Sequence, residues 1–125
     1  MRLTESKGPD ASRIQYYDAE SITINHQRYD HPILIQHPNI QPWDISQLTD
    51  LSYETIKSWL SLEPDIILLG TGNPQQTISL ALRQTCLTEH VAIEIMSTPS
   101  ACRCYNILVE EGRNVLAALW IGSNS

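Results

Sequence analysis

The chain has 125 residues, enough for a single domain that buries its own core without a disulfide or metal staple. A net charge of −6, from 14 acidic against 8 basic residues, excludes a general nucleic-acid binder, which needs a positive field to displace counterions. With 42% hydrophobic residues, no apolar run near the ~20 residues of a membrane span, and three Cys lacking metal or disulfide spacing, the chain reads as a soluble cytoplasmic protein without direct membrane insertion.

Residues 1–12 are polar, lack the apolar core of a secretory signal and read as a flexible arm. The folded domain is expected over 13–122, with 123–125 a polar tail. Residues 13–17 and 21–25 show extended patterns, Ile22 and Ile24 alternating with Ser21, Thr23 and Asn25. Asp18-Ala19-Glu20 suits a hairpin turn, and His26-Gln27 a second tight turn before Arg28-Tyr29. Pro32 leads into a short strand, Ile33-Leu34-Ile35. His37-Pro38-Asn39 and Gln41-Pro42 are expected to break regular structure, with Trp43 plugging an edge of the core.

Asp50 or Ser52 can cap a helix running to about Leu62, with Ile56, Trp59 and Leu60 on one face. Ile66-Ile67-Leu68-Leu69, bounded by Pro64 and Gly70, reads as a strand buried on both faces. Asn73 followed by Pro74 predicts a helix from there to Leu87. Residues 91–96 form the next strand. Ser97 or Thr98 caps a helix with Pro99 in its first turn and Gly112 as its stop. Residues 115–121 are a final apolar strand. Strand–helix–strand–helix–strand in the second half implies an α/β domain whose mostly parallel sheet is covered by helices.

Ligands of such sheets bind beyond the carboxyl ends of the strands. Here two strand ends, Gly70-Thr71-Gly72 and Ser97-Thr98-Pro99, fall at one edge, each before a helix N-terminus that favours an anion. The expected ligand-binding residues are Gly70, Thr71, Gly72, Thr98, Ala101, Cys102, Arg103 and Asn106. Backbone amides of Gly72 and after Thr98 would cradle a small anionic ligand, and Arg103 would close over it. Each residue also has a plainer reading: a tight turn, helix capping, or Arg103 paired with Glu94 or Glu110. Cys102 near a helix N-terminus suits a thiolate, yet free Cys is commonly a small core residue. Asn106 suits a backbone clamp. No His stands beside a nucleophile, none of the four His has zinc spacing, and no cofactor fingerprint is present, so no catalytic residue, metal or cofactor is assigned.

The run Ile66-Ile67-Leu68-Leu69-Gly70-Thr71-Gly72, with Glu94, Met96, Thr98, Ala101, Cys102, Arg103, Tyr105 and Asn106 and the stretch 108–119, resembles the Mth938-like domain family over residues 13–121. The resemblance implies a three-layer fold: a central mixed sheet, helices on its faces and an N-terminal β-hairpin. It implies no established enzyme activity. Because the family includes mitochondrial complex I assembly factor 3, it implies a binding or assembly module acting on a partner protein complex, the anion-binding cleft being the alternative.

Overall fold

The computed structural model describes residues 13–18, 20–89 and 92–121. The expectations for 1–12, Ala19, His90, Val91 and 122–125 lie outside the described residues. Three strands come first: β1 (Ile14–Tyr17), β2 (Ile22–Ile24) and β3 (Gln27–Tyr29), forming an antiparallel sheet in that order. Asn25 and His26 both have positive φ, 52° and 70°, and connect Ile24 directly to its partner Gln27. That two-residue loop is the turn whose twist matches paired strands, and Asn is suited to its first position.

β4 (Ile33–Gln36) turns through His37-Pro38 into β5 (Asn39–Pro42), so residues 39–42 are a strand and not the irregular stretch expected. A proline is tolerated here because β5 lies at a sheet edge. Trp43 follows, 5% exposed, its N–H donated to the Pro32 carbonyl at 2.9 Å. Its ring meets Trp59 and Trp120 edge-on at centroid distances of 5.5 and 6.5 Å.

Helix α1 (Tyr53–Leu60) is capped by Ser52, whose Oγ accepts from Thr55 N, and ends two residues before the expected Leu62. β6 (Ile66–Gly70) follows. Helix α2 spans Leu80–Thr88 with Ser79 as its cap, not 74–87 capped by Asn73. Thr71 explains the delay. Its Oγ1 accepts from Gln76 N and its carbonyl from Gln76 Nε2, tying the chain after the glycine turn into a loop. β7 (Ile93–Met96), α3 (Thr98–Glu110) and β8 (Val115–Leu119) complete the chain. Ser97 caps α3. Gly112, at φ 80°, closes it with Gly112 N to Val109 O and Arg113 N to Leu108 O, the paired bonds of a Schellman motif.

The second sheet has the order β5-β4-β8-β6-β7, parallel where β6 meets β7 and β8, antiparallel elsewhere. Alternate residues of its strands go to opposite faces. Ile33, Ile35, Leu68, Val115, Ala117 and Leu119 pack with α3 and the three-stranded sheet. Leu34, Ile67, Leu69, Leu116 and Ala118 pack with α1 and α2. The result is three layers with a mixed central sheet, the architecture the resemblance implied.

Candidate functional site

The carboxyl ends of β6 and β7 do converge on the start of α3, and they are joined by direct contact. Thr98 is the hub. Its N–H donates to the Gly72 carbonyl at 2.9 Å, and its Oγ1 accepts from Gly72 N at 2.8 Å. The same hydroxyl donates to the Trp120 carbonyl at 2.7 Å, tying the end of β8 to the junction. Thr71 N and Oγ1 both donate to the Met96 carbonyl. Trp120 N donates to Gly70 O. A Cβ on Gly70 would lie 3.0 Å from Thr98 Cα and 3.1 Å from Ala101 Cβ, so only glycine lets helix and strand meet this closely. Thr71 is fully buried and Thr98 nearly so.

In this geometry the amides of the expected anion cradle have partners within the chain. Gly72 N and Thr98 N are bonded to each other's residue. Pro99 has no N–H, Ser100 N donates to Ser97 Oγ, and Ala101 N donates to the Ser97 carbonyl. The amides expected to hold an anion all have partners within the chain, because the helix start is used to lock three strand ends together.

The remaining expected site residues separate. Cys102 has no exposed surface, and burial pushes its thiol up to about 12, outweighing the opposing pull of Arg103. A thiol so held keeps its proton at neutral pH, which favours the core-residue reading of Cys102. Burial likewise pushes the Tyr105 phenol up. Asn106 clamps the first sheet: its Oδ1 accepts from Ile14 N at 2.8 Å and its Nδ2 donates to Ile14 O at 2.9 Å. Arg103 alone is exposed. Its guanidinium donates to Tyr17 Oη at 2.9 Å and Ser100 Oγ at 3.2 Å, while Glu110 pairs with Arg13 instead. The tie from Thr98 to Trp120 was invisible in the sequence, since a backbone carbonyl 22 residues away leaves no mark on residue type.

Among the described residues no cluster of His, Cys, Asp and Glu is arranged to hold a metal. A surface concavity of about 350 Å³, lined in part by Trp43, Asp44, Asp50, Ser58 and Trp59, lies on the α1 side of the sheet.

Against this geometry stand the relatives. The profile of the family described as "Protein of unknown function (DUF498/DUF598)" matches residues 14–120. The rat protein named NADH dehydrogenase [ubiquinone] 1 alpha subcomplex assembly factor 3 is 31% identical over 121 residues, 95% of this chain. The chain spans 65% of that relative's length. A Francisella tularensis protein named 13 kDa major membrane protein is 26% identical over 92% of this chain and 95% of its own. Among solved structures, a Xanthomonas campestris protein superposes with a TM-score of 0.80 at 31% identity, covering 98% of this chain and 93% of its own. A Mth938-like domain of Bordetella pertussis gives 0.75 at 24% identity, covering 100% and 95%. The chain therefore belongs to the DUF498/DUF598 family and carries its Mth938-like fold.

Proposed function

We propose that this chain is a non-catalytic binding module that assists assembly of a partner protein complex in the cytoplasm. The observation that carries the reading is the likeness, over 95% of the chain, to proteins named as assembly factors. The chemistry of the strand ends supports it. Where an α/β enzyme opens a cleft, Thr98 fills the junction with internal hydrogen bonds, and the neighbouring thiol is buried and protonated. Among the described residues no helix is long and apolar enough to cross a membrane.

The test is reciprocal affinity purification from native cells with the gene tagged at its own locus. Expected is a defined partner recovered in near-stoichiometric amount, which in turn recovers this chain when tagged itself. Recovery of the chain alone in both soluble and membrane fractions contradicts the reading. The anion-binding alternative has its own check in thermal shift against phosphate and dicarboxylates. A shift abolished by Arg103→Ala would support it.

A further inference from the structure

The central sheet has two edges, and they are built differently. In β5 the bond from Trp43 N to Pro32 O fixes which residues face β4, leaving Ile40 and Pro42 to face outward. Pro42 has no N–H, so this edge offers a neighbouring strand a broken row of donors. At the other edge, Ile67 N donates to Ala92 O and Thr71 N to Met96 O. With Ile67 level with Ile93 and Leu69 with Ile95, the parallel pattern uses the backbone groups of Ala92, Glu94 and Met96. The N–H and C=O groups of Ile93 and Ile95 point outward, and among the described residues no strand takes them. This edge has no proline, lysine or bulge to protect it. Helix α2, whose Leu82 and Cys86 share a cluster with Ile93 and Ile95, leaves Leu80 and Leu87 68% and 72% exposed.

We infer that β7 is the docking edge for an extended segment of a partner protein, which adds as a sixth strand and sets a basic residue, flanked by apolar ones, against Glu94. The inference rests on the partner-protein reading above. An open row of donors and acceptors specifies an extended chain, because main-chain pairing supplies the affinity and alternate side chains the specificity. Charge selects among extended chains. Glu94 is exposed at the middle of the edge of a chain with net charge −6. A second copy is disfavoured: the antiparallel pairing that matches Ile93 of each copy with Ile95 of the other places the two Glu94 carboxylates directly opposite.

The probe is an acetylated eight-residue synthetic peptide alternating Val and Thr with one central Lys, beside the same peptide carrying Glu in place of Lys. Amide exchange is followed residue by residue in the full chain. The Lys peptide at ten times its dissociation constant slows exchange at Ile93 and Ile95 about tenfold. Ile95→Pro, which removes an outward N–H and no sheet bond, abolishes the effect, and Glu94→Lys transfers it to the Glu peptide. Unchanged exchange at Ile93 and Ile95 with both peptides overturns the inference. So does protection without peptide that grows with protein concentration alongside a dimer mass, which would make a second copy the occupant. If the native partner is recovered equally by wild type and by a folded Glu94→Lys variant, the edge assignment fails while the partner reading stands. If no partner is recovered at all, the partner reading fails.

Discussion

Thr98 uses one hydroxyl to tie the ends of β6 and β8 together at the start of α3. Thr98→Val keeps the shape but removes the acceptor of the buried Gly72 N–H and the hydroxyl donor to the Trp120 carbonyl. At about 1–3 kcal/mol for each lost bond, urea unfolding is expected to show a loss of roughly 2–6 kcal/mol. Thr98→Ser, which keeps the hydroxyl, is expected to lose about 1 kcal/mol. Gly70→Ala presses a methyl onto the Thr98 backbone and Ala101, and a destabilisation of about 1–3 kcal/mol is expected in the same assay. Cys102 gives a pH signature. Its thiol rises from 9.0 in the unfolded chain to about 12 when folded, so the native state holds its proton longer. Its contribution is intact below pH 9 and is lost as pH climbs toward 12, by at most about 1.4 kcal/mol per unit. Cys102→Ala is expected to flatten that alkaline decline in denaturation curves measured from pH 8 to 11. The residue types of this junction were all legible in the sequence. Their partners were not, because the Thr98 hydroxyl meets backbone groups of Gly72 and Trp120 that are distant in the chain and leave no mark on residue type.

Elements were legible where local signals and tertiary demands agree. The strand at 66–70 is a continuous apolar run between Pro64 and the glycine turn, and its neighbours bury both faces. Helix α3 shows a Ser cap, an early proline and a Gly stop, and all three serve those roles. Helix α2 was misplaced because Asn73-Pro74 mimics a helix start, while the Thr71 side chain six residues before Thr77 holds Gln76 in a loop. The strand at 39–42 was missed because its proline faces outward at an edge, where the missing N–H costs nothing. Asn106 tests how the two sheets are coupled. It replaces a sheet bond at both backbone groups of Ile14, so Asn106→Ala is expected to speed amide exchange across β1–β3 while β6 and β8 keep their protection. Uniform acceleration through both sheets would mean that they unfold as one unit.

For the whole molecule, the layers explain why the resemblance in the second half was sufficient to place the first. β6, α3 and β8 form the packed centre, and β4 joins them through Ile33, Leu34 and Ile35 against the last strand. At the periphery lie the exposed Arg103 face, the concavity beside Trp43 and the edge of β7, which no strand takes among the described residues. A β7 edge that no strand takes among the described residues fits the proposed role of holding another protein. The central claim of a partner complex is tested most directly by native electrophoresis of the untagged protein at its own expression level, probed by antibody across growth conditions. The account predicts a band well above the 14.1 kDa of the chain, which collapses on mild denaturation. Migration as the free chain under every condition would contradict it.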